Sequence, residues 1–247
     1  MNAIYILWLR QLKRHFRSRS RIIGSLGQPL LFLIALGFGF GPVFQQAGQG
    51  NYMQFLVPGV ISMTILFSSV FSGIEIIWDK QFGFLKETLV APVSRFEIML
   101  GRTLGGATVA TLQGIIVMFL SIFFGFSLQI SALPVALFFM FLIALLFTAL
   151  GTAIASLLED MQGFQLIVNF LIMPFFFLSG ALFPLFDLPD ILKLVASLDP
   201  LSYGVDGLRA TFNGGSYFGL TTDLLILGSI TAILLALGSY LFSKIQI

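Results

Sequence analysis

Six stretches of this chain stay apolar for about twenty residues, and that length constrains the fold more than any other feature. A helix rising about 1.5 Å per residue needs roughly 20 apolar residues to cross a hydrocarbon core about 30 Å thick. The stretches run over residues 22–40, 55–78, 98–124, 133–158, 164–183 and 220–242. What remains is too poor in charge to coat a soluble fold: 10% of residues are charged, where soluble domains carry about 25%. A mean hydropathy of +1.01 agrees. A cytosolic enzyme and a disordered chain are excluded, and a net charge of +2 excludes a nucleic-acid binder. With no cysteine and one histidine, His15, before the first apolar stretch, neither a thiolate metal site nor Ser-His catalysis within a membrane has support. The expected fold is an all-α integral membrane protein with six transmembrane helices in a single domain, residues 1–247, with no internal repeat.

Basic residues set the expected orientation. Six spans put both termini on one side, which collects Arg10, Lys13, Arg14, Arg17, Arg19, Arg21, Lys80, Lys86, Arg95, Arg102 and Lys244; the other side holds Lys193 and Arg209. This asymmetry assigns the termini to the cytoplasm. Ahead of the first span, Ile4, Trp8, Leu12 and Phe16 recur every four residues while Arg10, Lys13, Arg14 and Arg17 take other faces. That pattern predicts an interfacial helix within residues 1–21, its basic side towards lipid phosphates.

Residues 79–97 form the most informative polar connection. Phe82, Leu85 and Leu89 share one helical stripe, and Pro92 disfavours helix at Ala91. Ser94 followed by Glu97 reads as a capping box that starts a new helix leading into the third span. The prediction is a stiff elbow: a short amphipathic helix, a proline break and a capped restart. A second patterned connection covers residues 184–218. Ile191, Leu194, Val195 and Leu198 follow helix spacing behind Pro189, and Leu201, Val205 and Leu208 form another stripe ending at Asn213-Gly214-Gly215. Two short amphipathic helices dipping part-way into the outer leaflet fit this pattern, with Asp206 and Arg209 spaced to pair.

Phe82-Gly-Phe-Leu-Lys-Glu-Thr-Leu-Val-Ala-Pro-Val-Ser-Arg95, continued by Glu97-Ile-Met-Leu-Gly-Arg102, resembles the permease subunits of type-2 ABC exporters. Phe55-Leu-Val-Pro-Gly59 and the stretch from Gly73 to Asp79 look like the drug-resistance, daunorubicin-exporter branch. Downstream, Ser179-Gly180-Ala181, Leu188-Pro189 and Pro200-Leu201-Ser202-Tyr203 followed by Arg209 are similar to that family's C-terminal signature. The resemblance spans essentially the whole chain. It implies a dimerising permease, a homodimer or one half of a heterodimer, driven by two copies of a separate ATP-binding subunit that carries the ATP and Mg. It implies that residues 82–91 are the coupling helix seated in the ATPase, with Phe82, Leu85 and Leu89 as apolar contacts and Lys86, Glu87 and Arg95 as polar ones. It also makes Pro200, Tyr203, Asp206 and Arg209 candidates for shaping an outer re-entrant lid. The chain itself has no Gly-x-x-x-x-Gly-Lys-Ser/Thr loop to cradle phosphates, and is expected to be a transport subunit, not an enzyme, and to bind no cofactor or metal.

Several polar residues admit two readings. Glu75 and Arg102 are candidates for a gate or for an ion pair with each other. Glu159 and Asp160 are solvated or touch the ATPase. Gln28, Gln113 and Asn169 join helices by hydrogen bonds or line the export path. Ser68, Ser69, Ser72, Gly73, Gly101 and Gly105 would let helices approach closely, and Pro29, Pro58 and Pro174 are expected to interrupt their spans. The expected cargo is a hydrophobic drug or lipid-like amphiphile, with lipid-linked polysaccharide as the alternative. An ion-coupled carrier, a different class, would place ionisable groups near the midplane, and this chain has none there.

Overall fold

The structure, a computed structural model, describes residues 3–46, 50–84, 88, 90, 92–186 and 188–244, with the backbone alone for Arg21. Every regular element among the described residues is helical: α1 Ala3–Arg17, α2 Arg19–Gln46, α3 Tyr52–Phe71, α4 Ile74–Gln81, α5 Arg95–Ile122, α6 Leu133–Leu157, α7 Met161–Leu178, α8 Asp190–Leu198, α9 Pro200–Asn213 and α10 Leu220–Ser243, with one 3-10 turn at Ile130–Ala132. Six helical stretches are long and apolar enough to cross a membrane: Ile22–Gln46, Tyr52–Gln81, Arg95–Ile122, Ile130–Leu157, Met161–Leu178 and Leu220–Ser243. These are the six expected from the sequence, and the second is built from α3 and α4 in succession.

The core lies between α3, α5 and α6. Leu56, Val57, Val60, Ile61 and Ile65 of α3 are fully buried, as are Phe139, Ile143 and Phe147 of α6. Small residues set the crossings. A Cβ on Gly73 would strike the Gly151 carbonyl, and one on Gly151 would sit 2.6 Å from the Val70 carbonyl, so the α3–α4 junction and α6 touch backbone to backbone. Without a hydrophobic drive between helices in lipid, such contact is what packs them. Gly101 and Gly105 do open a close approach, but to α1: added Cβ atoms would lie 2.9 Å from the Ile4 carbonyl and 2.7 Å from the Gln11 side chain.

The prolines correct one expectation. Pro29, Pro58 and Pro174 lie inside continuous helices, as does Pro42. Proline removes an N–H and frees the carbonyl four residues earlier, and at Pro58 the bundle supplies the missing donor. Asn213 Nδ2 donates to the Gln54 carbonyl at 2.8 Å, and an Arg209 guanidinium N–H reaches the next carbonyl, of Phe55, at 3.4 Å. The second span changes helix at Ser72–Gly73 instead, where the Gly73 N–H turns to the Val70 carbonyl at 2.9 Å.

Candidate functional site

The end of the bundle that bears both termini is built around buried charge. Arg102, 4% exposed, donates from its guanidinium to the Asp79 carboxylate. Asp79 is also 3.6 Å from Arg10, and Glu75 is 3.5 Å from Arg14, whose guanidinium lies 5.4 Å above the Trp78 ring. Arg10 and Arg14 are one turn apart on α1, Asp79 and Glu75 one turn apart on α4, so the two helices meet as antiparallel ladders of opposite charge. The expected Glu75–Arg102 pair is therefore corrected: the carboxylate one turn further along α4 reaches Arg102, and Glu75 meets α1. The surface role expected for α1 changes with it. Besides the ion pairs, Trp8 Nε1 donates to Thr108 Oγ1 at 3.0 Å and His15 is buried, so much of this helix faces protein.

Beside this knot the elbow is braced at both feet. Ser94 Oγ accepts from the Glu97 N–H at 3.2 Å while the Glu97 carboxylate accepts from the Ser94 N–H at 3.1 Å, the capping box expected from sequence. Arg95 donates to the Ser243 carbonyl at 3.0 Å, tying the start of α5 to the end of α10. Lys80 Nζ donates to the carbonyls of Ala155, Ser156 and Leu158 at 3.2, 2.9 and 3.0 Å, closing the C-terminus of α6. Asp160 caps α7 by accepting from the Gly163 N–H, and Gln81 donates to the Glu159 carbonyl. Between these braces the apolar side chains point outward: Phe82 is 71% exposed and Val90 85%, with Phe84 and Phe96 each about half exposed. Phe84, Thr88 and Val90 are helical. Leu85 and Leu89 of the expected stripe, and Lys86 and Glu87 among the expected polar contacts, lie outside the described residues.

Above the elbow lies a cavity of about 430 Å³ between α1, α2, α3, α4, α5 and α7. Gln28 and Gln113 line it together with Gln11, Ser25, Phe67 and Glu75. Gln113 Nε2 donates to Ser25 Oγ at 3.1 Å, a bond between α5 and α2, and its Oε1 has no partner. Asn169 does not join them; it is exposed on α7.

At the far end, α8 and α9 form where the two stripes predicted them, at unequal depth. Ile191, Leu194 and Leu198 of α8 face outward, whereas Leu201, Val205 and Leu208 of α9 are fully buried. Gly204 and Gly207 let α9 press against Ile143 and Phe139 of α6, so α9 packs into the core of the bundle while α8 lies on its surface. Pro200 opens it at the first helical position, where no N–H is needed, behind Asp199, whose side chain accepts from the Leu201 N–H at 2.8 Å. Burial pushes the Asp199 carboxyl up to about 8. Tyr203 donates to the Ser197 carbonyl at 2.7 Å. Asp206 and Arg209 do not pair. Asp206 accepts from the Ser216 hydroxyl and from the N–H groups of Tyr217 and Phe218, each at 2.8 Å, pinning the loop that leads into α10. Arg209 donates to the carbonyls of Gly180 and Phe55 and lies 3.8 Å over the Phe55 ring. Other segments of the chain offered these partners, and the three-residue spacing gave no sign of them.

The sequence profile of a family described as ABC-2 type transporter matches residues 2–213. Among curated proteins, the chain is 31% identical over 225 residues to a transport permease, ycf38, of Cyanophora paradoxa, covering 88% of this chain and 76% of that one. It is 28% identical over 215 residues to nodulation protein J of Rhizobium leguminosarum bv. trifolii, covering 85% and 78%. It is 26% identical over 227 residues to the inner membrane transport permease YadH of Escherichia coli, covering 91% and 88%.

Proposed function

The chain belongs to the ABC-2 type transporter family and is a multi-pass membrane transport subunit, and from that premise we propose that it is the permease of an ATP-driven exporter of the drug-resistance, daunorubicin-exporter type. Two copies of this chain, or this chain and a second permease, enclose the path, and two copies of a separate ATP-binding subunit, which hold the ATP and Mg, drive it from the cytoplasmic side, where both termini lie. The observation that carries this reading is the braced elbow with outward-facing Phe82, Phe84, Val90 and Phe96. Exposed apolar groups of this kind mark a docking surface, and the capping box, the Arg95 contact with Ser243 and the Arg102–Asp79 pair couple that surface stiffly to three spans. In this assembly Phe82, Leu85 and Leu89 enter the ATPase cleft, and Lys86, Glu87 and Arg95 make polar contacts at its rim.

The cargo we assign is a hydrophobic drug or lipid-like amphiphile. The 430 Å³ cavity supports this, because Phe67 and Met63 offer apolar walls while Gln28 and Gln113 offer neutral hydrogen-bonding groups, the mixture that suits small amphiphiles. The test is reconstitution with the ATP-binding subunit. Phe82→Asp and Glu87→Arg should leave the permease folded, lower cargo-stimulated ATP hydrolysis at least tenfold and release the ATPase on purification. Unchanged stimulation with a bound ATPase would sink the docking assignment.

A further inference from the structure

We propose that the cavity at the far end of the bundle is a binding site for the anionic phosphate head of an amphiphile, with the Arg209 guanidinium as its charge partner. The cavity holds about 320 Å³ and is walled by Phe55, Phe186, Ser202, Asp206, Arg209 and Tyr217, among others. That is room for a polar head and a few carbons, at the small end of ligand sites.

Arg209 brings the argument. No carboxylate lies within ion-pair distance of it among the described residues. It donates to two backbone carbonyls, Gly180 at 3.0 Å and Phe55 at 3.4 Å, and its buried Nε–H has no acceptor. Carbonyl dipoles and a ring face satisfy part of a guanidinium, whereas two oxygens of a phosphate satisfy its fork and its charge together. Asp206 shares the cavity but is saturated by the Ser216 hydroxyl and the Tyr217 and Phe218 N–H groups. Its field eases Arg209 without pairing it: burial brings the guanidinium down to about 10, and Asp206 opposes that shift. Arg209 is thus a full cation at neutral pH.

Two further features point the same way. The Ser202 hydroxyl lines the cavity, is fully buried and makes no hydrogen bond of normal geometry, although it stands near the Asp199 carboxyl. Helix α3 begins at this cavity with Asn51 and Gln54 in its wall, and the start of a helix favours negative charge. The rim supplies the rest of the ligand's chemistry. Phe186 is largely exposed and meets Tyr217 edge to face at 4.9 Å, an apolar lip over which a hydrocarbon tail can leave. A free phosphate ion would use Arg209 and Ser202 but gain nothing from that lip.

The site can be tested on the purified chain in neutral detergent, with no ATP and no partner subunit, so its outcome is separate from the transport reading. The probes are dihexanoyl phosphatidylglycerol, dihexanoyl phosphatidylcholine and inorganic phosphate, followed by titration calorimetry. The anionic lipid should bind saturably and at least tenfold tighter than the choline lipid, with no measurable binding of inorganic phosphate at matched concentration. Arg209→Gln should abolish that preference. Because Arg209 also holds two carbonyls, a second pair of variants keeps the fold: Gly215 lines the cavity and a Cβ there meets nothing within 4 Å. Gly215→Asp should weaken anionic-lipid binding at least tenfold and Gly215→Asn should not. Equal binding of the two lipids, or binding indifferent to Gly215→Asp in a folded variant, overturns the site. Inorganic phosphate binding as tightly as the lipid overturns the amphiphile.

Discussion

Arg102 and Arg209 are both largely buried arginines, one at each end of the bundle, each with an Nε–H that finds no acceptor, and the protein balances their charge by different means. Arg102 is matched by a carboxylate on another helix, with Arg10 drawn into the same knot. Arg209 is held by carbonyls and a ring, and its carboxylate neighbour three residues away is bound to backbone N–H groups instead. A charge matched by a charge locks two helices together, because separating them strands two ions in a poor solvent. A charge matched by dipoles fixes its own side chain while its demand for a counter-ion stays unmet. The first arrangement suits transmission of force, the second reception of a ligand.

Substitution at the paired end should have the largest effect. Arg102→Met leaves Asp79 buried against Arg10 alone, and breaking a buried pair costs about 3–5 kcal/mol. The expected outcome is a markedly lower thermal midpoint in detergent, with Asp79→Asn combined with Arg102→Met recovering much of it. Recovery by the double variant is the result that tells a pair from two independent residues. At the far end, stability should fall as pH rises. Asp199 binds its proton more tightly folded, to about 8, than unfolded, near the ordinary 3.8. The folded state therefore holds an extra proton between those values, and stability falls as pH rises across that interval, by at most about 1.4 kcal/mol per pH unit, levelling off above about 8. Midpoints measured from pH 6 to 8.5 should decline, and Asp199→Asn should flatten the decline.

A smaller loss is expected where a charge is bound by backbone. Asp206→Asn keeps the shape but replaces charge-assisted bonds to the Ser216–Phe218 loop by neutral ones, for a loss of about 2 kcal/mol. Hydrogen exchange should localise it to that loop. Smallest of the four, Ser94→Ala removes one side of the capping box and costs about 1 kcal/mol; Ser94→Asp, which caps as well, should restore it. If Asp206→Asn proved costlier than Arg102→Met, the contrast between the two ends would fail.

What the sequence made legible is what depends on neighbours along the chain. Twenty-residue apolar runs, the Ser94–Glu97 box, and the α9 stripe with its stop at Gly214, where φ is +76°, are local statements. They needed no knowledge of the fold. The prolines misled because the helix-breaking rule assumes that freed carbonyls go unserved, and Asn213 and Arg209 serve those near Pro58 from a distant part of the chain. Spacing misled at Asp206 and Arg209 because the backbone of other segments supplied better-placed partners. The matching ladders Arg10/Arg14 and Glu75/Asp79 were the missed signal. Each has the four-residue period of a helix face, and only the assumption that α1 belonged to the lipid surface hid their complementarity. The burial of α9 against α6 had no local sign, since a helix packed in the bundle and one on its surface can share the same stripe.

The seat of α1 on Gly101 and Gly105 bears on how the chain is made. Its arginines leave the ribosome well before α4 and α5, the helices that will receive them. During that interval they carry bare charge at the mouth of the insertion machinery, where charge decides which way the following segment threads. Once α4 and α5 are in place, Arg10 and Arg14, still partly open to solvent, tie α1 to α4. Variants of Arg10 and Arg14 are therefore to be scored twice, for how the chain inserts and for how firmly the finished helices hold together.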